Sequence, residues 1–164
     1  MKKGLTICIW FDDQAKEAAN FYVSTFPNSK IKKTVLYPKA AEKIAGKPAG
    51  SVMTVEFEVN GADFLALNGG KVPGFDLTSA ISFIVKCDTQ EEIDDLWKKL
   101  SAVPEMEQCG WLKDKFGVTW QITPTILDEY LSDSDQEKVE RVTAAFMPMK
   151  KLDIAKLKEA YEGK

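Results

Sequence analysis

LTICIWFDDQAKEAANFY, residues 5–22, returns 76 positions later as ISFIVKCDTQEEIDDLWK, residues 81–98, without a gap. Leu5, Ile7, Ile9 and Phe11 fall on Ile81, Phe83, Val85 and Cys87; Asp12 and Gln14 fall on Asp88 and Gln90; Phe21 falls on Trp97. Residues 5–11 are short and rich in strand formers, so they read as a β-strand. Residues 14–26 then place Ala18, Phe21, Tyr22 and Phe26 at helical spacing, with Asp12 or Asp13 as the N-cap. Any two strand–helix units share apolar phasing. The ungapped match of strand, cap and helix nevertheless favours a duplicated module.

Outward from the first copy, residues 31–37 read as a second strand, with Ile31, Val35 and Tyr37 of one parity. Residues 38–50 hold two prolines and two glycines and read as a mobile loop. VMTVEFEV (52–59) and ADFLALN (62–68) flank Asn60-Gly61, a strong hairpin signal, and Gly69-Gly70 closes the unit. In the second half, 80–87 reads as a strand, 89–100 as a helix, and 117–123 as a strand after a turn at Asp114–Gly117. Beyond Pro124 the pattern is helical over 125–131, 135–147 and, after Pro148 breaks the run, 153–161. Val139, Val142, Phe146 and Leu152 are the apolar positions by which these helices would cap their own sheet or pack across a partner. The expectation is one α+β domain over 1–164, with modules at about 1–70 and 78–124 and C-terminal helices over about 125–164.

With 164 residues, 45% hydrophobic and 29% charged, the balance is that of a soluble globular chain. No apolar run reaches the ~20 residues of a membrane span, and MKKGLTICIWFDD turns acidic too early for a signal peptide. A net charge of −3 argues against nucleic acid as a partner. Three cysteines, Cys8, Cys87 and Cys109, lack metal-type spacing and read as free thiols of a reducing cytoplasm. There is no histidine, which excludes His bases, His triads and His-ligated metals.

The runs WFDDQAKEAANFYVSTFPNSKI, TVEFEVNGADFLALNGG, AISFIVKCDTQEEIDDLW, QCGWLKDKFGVTWQITPT and MKKLDIAKLKEAY together resemble the PhnB-like family. That family, labelled 3-demethylubiquinone 3-methyltransferase-like, is a branch of the vicinal oxygen chelate (glyoxalase/bleomycin resistance) superfamily. The resemblance implies paired βαβββ modules, each curling into a half-barrel around a cup, with a C-terminal helical extension and a homodimer. Its metal enzymes carry ligands on cup-facing strands, at positions that fall here on Thr6, Ala66, Ser82 and Gln121. None is an imidazole, carboxylate or thiolate, so no metal is expected.

If Thr6 faces the cup, strand parity brings Cys8 and Trp10 with it and turns Ile7, Ile9 and Phe11 to the helix layer. In the second module Ser82, Ile84 and Lys86 face in, as do Thr119, Gln121 and Thr123, while Val118, Trp120 and Ile122 pack under a helix. The candidate ligand pocket is thus Thr6, Cys8, Trp10, Asn68, Ser82, Lys86, Thr119 and Gln121.

Other chemistry is weaker. Glu56 and Glu58 share one strand face and read mainly as a solvated surface, with acid–base work as the alternative. Cys109, before Gly110, has no histidine to activate it and reads as inert. Asn68-Gly69-Gly70 is too short for a phosphate loop, and no Gly-rich nucleotide fingerprint follows any strand. In particular, Asp12-Asp13-Gln14 follows the first strand, where S-adenosylmethionine enzymes usually place a glycine-rich turn. The expected function is binding of a small polar or amphipathic molecule in a β-cup, without metal or cofactor. The alternative is an enzyme of metal-independent or unrecognised chemistry, including the nominal methyl transfer.

Overall fold

The structure, a computed structural model, describes residues 4–164 and divides into two compact units, up to Asp76 and from Leu77 onward. The first unit runs β1 (Ile7–Phe11), α1 (Ala15–Thr25), β2 (Lys30–Leu36), α2 (Glu42–Ala45), β3 (Val52–Val59) and β4 (Ala62–Asn68). Its four strands lie in the order β1-β4-β3-β2. β1 is parallel to β4, and the other pairs are antiparallel. Asn60 and Gly61 both take positive φ (45° and 86°), the backbone of a two-residue type I′ hairpin.

One face of this sheet is covered by α1. The helix turns Ala15, Ala18, Ala19 and Tyr22 inward, and its small alanines let the backbone approach the strands. Tyr22 stacks on Phe57 with centroids 6.1 Å apart, and Phe57 stacks on Phe64 at 5.3 Å. Ile9, Phe11, Val55, Val59 and Ala66 complete the buried face. Neither Asp12 nor Asp13 caps α1. Gln14 occupies the N-cap position without a side-chain bond, and Asn68 Oδ1 accepts the Ala15 N–H from across the unit at 2.8 Å. The expected loop over 38–50 holds a 3₁₀ turn (Lys39–Ala41) and the single-turn α2, which Gly46 ends at φ 64°.

The second unit runs β5 (Phe83–Cys87), α3 (Gln90–Leu100), β6 (Trp111–Lys113), β7 (Thr119–Pro124), α4 (Ile126–Leu131), α5 (Gln136–Phe146) and α6 (Ile154–Glu162). β5 lies 76 residues after β1, end to end, and both pair in parallel with the last strand of their own sheet. Thr89 caps α3 in a reciprocal capping box with Glu92. Three strands, ordered β5-β7-β6, make this sheet, so the second module is βαββ and lacks a counterpart of β2. Residues 101–110 are too few and too broken for one: Pro104 starts a 3₁₀ turn there. The hairpin into β6 turns at Cys109-Gly110, again with two positive φ angles (51° and 82°).

The C-terminal helices enclose Leu127, Tyr130, Val142, Leu152 and Leu157, with Tyr130 stacked on Tyr161 at 4.0 Å. Of the apolar positions expected there, Val142 and Leu152 are buried, and Val139 and Phe146 are half-buried. No helix among the described residues is long and apolar enough to cross a membrane.

Candidate functional site

Strand β7 organises the site. Val118, Trp120 and Ile122 point to the buried side under α3, and Thr119, Gln121 and Thr123 point to the other. On that second side lies a cavity of about 690 Å³. Strand side chains Ile84, Lys86, Thr119, Gln121 and Thr123 line it from the sheet, and Leu127, Asp128, Leu131, Phe146 and Met147 line it from the helices. Met106, Gln108, Cys109 and Trp111 complete the rim, with Ser79 near the sheet. Its exposed lining is predominantly apolar, with Ile84 and Met147 more than half exposed.

The polar groups on the sheet side are partly satisfied by each other. Ser79 and Thr119 hydroxyls lie 3.1 Å apart, and Gln121 Nε2 donates to Ser82 Oγ at 2.8 Å. Lys86 Nζ is 2.6 Å from Asp128 Oδ1, which neutralises the cation at the rim. Thr123 is different. It is only 8% exposed, and its Oγ1 is the one buried side-chain polar atom without a hydrogen-bond partner among the described residues. A buried hydroxyl left unpaired is costly.

The rim is held by the Gln108–Trp111 hairpin. Gln108 Nε2 and Cys109 Sγ both donate to the Met147 carbonyl, at 2.6 and 3.0 Å. The Cys109 and Gly110 N–H groups donate to Met149 and Lys150 carbonyls, both at 2.7 Å. Gly110 is required twice over, by its φ of 82° and because a Cβ would stand 2.9 Å from the Ile122 carbonyl oxygen.

The sequence-predicted site residues divide between the units. Lys86, Thr119 and Gln121 line the cavity of the second unit, and Ser82 is bonded to Gln121. Thr6, in the first unit, borders a smaller recess of about 370 Å³ with Lys32, Glu56 and Asp63. Cys8 is exposed, and partial burial of its thiol raises its pKa. Trp10 lies across Gly69, and its indole N–H donates to the Gly70 carbonyl at 2.8 Å.

Asn68 is placed otherwise than expected. It is buried on the α1 side, where Oδ1 accepts from Ala15 N–H and Nδ2 donates to the Val52 carbonyl at 3.0 Å. Its own carbonyl accepts the Tyr37 hydroxyl at 2.5 Å. Both ends of its side-chain amide are thus engaged within the first unit. Ala66 likewise packs on the helix side, and Leu65 and Leu67 take the other face. Nor do Glu56 and Glu58 form a free carboxylate pair. Lys32 bridges Glu58, at 2.8 Å, and Asp63, and holds the Glu58 carboxyl below its ordinary pKa.

Ser79, Gln108, Trp111 and the helical wall were not singled out as site residues in the sequence. Thr123 carried a signal, the shared parity with Thr119 and Gln121. The helical wall carried none.

The donors do not fit a metal of the superfamily type. Thr6 and Ala66 offer a hydroxyl and a methyl, and Ser82 and Gln121 are neutral groups already bonded to each other. Among the described residues no three Cys, Asp or Glu side chains converge as a metal would need.

Comparisons with known proteins bear on the family. A PhnB protein from Bacillus cereus is 32% identical with a TM-score of 0.62, over 75% of this chain and all of that one. Protein PA1353 from Pseudomonas aeruginosa, 15% identical with a TM-score of 0.51 over 73% of this chain and 96% of its own, shares the fold. A lactoylglutathione lyase from Agrobacterium tumefaciens also matches, at 16% identity and a TM-score of 0.38, over 77% of this chain and 96% of that one. No curated protein matches the sequence. A family model described as 3-demethylubiquinone-9 3-methyltransferase matches residues 3–123, most of the chain, and the protein belongs to that PhnB-type family.

Proposed function

We propose that the second unit binds a small amphipathic molecule in its cavity, with no metal taking part. The observation that carries this is a predominantly apolar cavity of about 690 Å³ with a few polar groups on its sheet side, within the size range of small-molecule sites. Trp111, Met106, Phe146 and Met147 supply an adaptable apolar wall. Because Asp128 neutralises Lys86, the favoured head group is an uncharged acceptor or donor rather than a strong anion. Thermal-shift screening of metabolites and antibiotics tests this, since a ligand bound to the folded state raises Tm by mass action. A stabilising ligand whose effect survives Leu131→Trp, which would fill the cavity from the helical wall, would remove the proposal's main support.

The family description names a methyltransferase, so S-adenosylmethionine belongs in the same screen. Stabilisation by it, followed by a methylated product, would move the reading to an enzyme. Chelator is expected to leave Tm unchanged, and one tightly held metal per chain lost together with stability would refute the metal-free reading. We further infer a homodimer in a reducing cytoplasm. Ile81, 76% exposed, is apolar surface that a second copy would cover, and three free thiols suit that compartment. Light scattering with a single species near 18 kDa would reject the dimer.

A further inference from the structure

Each strand of the second sheet places one side chain in a single row across the cavity floor. Gln121 of β7 pairs with Ile84 of β5 on one side and with Trp111 of β6 on the other, and all three line the cavity. Directly opposed residues of an antiparallel pair hold their Cβ atoms about 4.5–5.5 Å apart. The Gln121 amide and the Trp111 indole are therefore immediate neighbours.

Both of them keep unused binding surface. Gln121 Nε2 donates to Ser82 Oγ at 2.8 Å, which fixes the amide plane, and Ser82 lies outside the lining. Gln121 Oε1 has no partner among the described residues and, unlike Thr123 Oγ1, retains open surface. Nε2 has a second N–H still to give. The half-buried Trp111 side chain makes neither a ring contact nor a hydrogen bond among the described residues. The other polar groups of the lining offer less. Lys86 and Asp128 are taken up with each other at 2.6 Å, and the Asp128 carboxylate is largely in water. Gln108 spends its Nε2 on the Met147 carbonyl and holds the rim together.

Resting on the cavity being a ligand site, we propose that it takes uncharged aromatic lactams, planar rings with a cyclic amide edge. The ring N–H donates to Gln121 Oε1, the neighbouring ring carbonyl accepts from Gln121 Nε2, and the ring lies against the Trp111 indole. Apolar substituents go to Leu131, Phe146 and Met147 on the helical wall. A carboxamide holds an acceptor and a donor side by side, and a lactam presents the complementary pair in one rigid plane. The flat ring gains offset-stacked contact with the indole, and its rigidity keeps the ordering cost of binding low. An anion would meet the unpaired Gln121 oxygen and a lysine already neutralised by Asp128. An aliphatic donor would leave the indole face unused.

The test uses the whole chain with 2-quinolone, whose ring carries an N–H beside its carbonyl, and with its N-methyl analogue, which has no N–H to donate. Dissociation constants are read by titration calorimetry, with Tm measured in parallel. The N–H form is expected to bind at least about tenfold more tightly than the N-methyl form. Gln121→Leu should bring the two to one weak affinity, which separates lost donation from the bulk of the methyl group. Trp111→Leu should weaken 2-quinolone at least about tenfold, and Trp111→Phe should recover part of that loss. The comparison of the two ligands on the unsubstituted chain stands even if a variant fails to fold.

Equal affinity for the two quinolones, a preference that survives Gln121→Leu, or binding untouched by Trp111→Leu would overturn the proposal. If the two bind alike and Leu131→Trp abolishes both, lactam recognition fails and the cavity reading stands. Quinolone binding that survives Leu131→Trp lies outside the cavity and refutes both. If neither quinolone binds at millimolar concentration, the lactam class is refuted and octanol decides the rest. Octanol binding that Leu131→Trp removes keeps the cavity reading, and no octanol binding strikes that reading too.

Discussion

Replacing Thr123 by valine exchanges a hydroxyl for a methyl of nearly the same shape at a position only 8% exposed. Because Oγ1 has no partner in the folded protein, folding strips it of water and returns nothing. An unsatisfied buried hydroxyl costs about 1–3 kcal/mol, and the added methyl buries roughly another 0.8 kcal/mol of apolar surface. Thr123→Val should therefore stabilise the protein by about 2–4 kcal/mol. For a chain of this size each kcal/mol moves Tm by about 2–4 °C, so a rise of several degrees is expected in calorimetry, with a matching increase in the urea midpoint. The same variant should leave the Tm increase that a cavity ligand produces unchanged, because the hydroxyl has no surface open to the cavity. A variant destabilised by about 1 kcal/mol or more would show that the hydroxyl is hydrogen-bonded in the folded state and would refute this reasoning.

Asn68→Ala leaves the Ala15 N–H and the Val52 carbonyl without their partners. A loss of about 1–3 kcal/mol in urea unfolding is expected, with ligand binding in the second unit unchanged; an effect confined to binding would contradict its placement. At Gly69 a Cβ would stand 1.9 Å from Trp10 Cζ2. Gly69→Ala should expel the indole, costing about 1–3 kcal/mol and shifting the Trp10 share of the fluorescence, assigned against Trp10→Phe. Unaltered emission and stability would refute the close approach. The Asp133 carboxyl lies below its ordinary pKa because it accepts the Asp135 N–H and the Tyr161 hydroxyl, with the Lys138 ammonium 3.7 Å away. Near pH 4 the folded state thus binds fewer protons than the unfolded one. The stabilisation is fully present above the unfolded value of about 3.9 and disappears as pH falls through the folded value. The difference between the wild type and Asp133→Asn should accordingly shrink between pH 6 and 3, and a constant difference would reject the assignment.

What could be read in the chain and what could not follow one physical division. β5 lies at the offset the repeat announced, and the β3–β4 hairpin turns at Asn60-Gly61, because strand parity and turn chemistry are local. The same locality carried the sheet side of the cavity, where Lys86, Thr119 and Gln121 share the face expected of them. Asn68 escaped because its meaning is set by Ala15, 53 residues away in sequence, and a polar side chain at a strand end looks alike whether it meets a ligand or a helix terminus. β6 escaped because Cys109-Gly110 performs the job of Asn-Gly without its spelling. The missing strand of the second module follows from the short, proline-bearing stretch after α3, which is visible once a sheet shows that it has nowhere to pair.

The helical wall belongs to the least legible class. Leu131 and Met147 satisfy helical patterning as core residues, yet Met147 is more than half exposed on the cavity. What fixes its place is the backbone carbonyl, which receives both Gln108 and Cys109, and a backbone acceptor leaves no mark on residue identity. The hairpin that positions the thiol and the wall that shapes the cavity are thus one hydrogen-bonded assembly. Substitutions at Gln108 should disturb Cys109 and Met147 together, although neither neighbours the other in sequence.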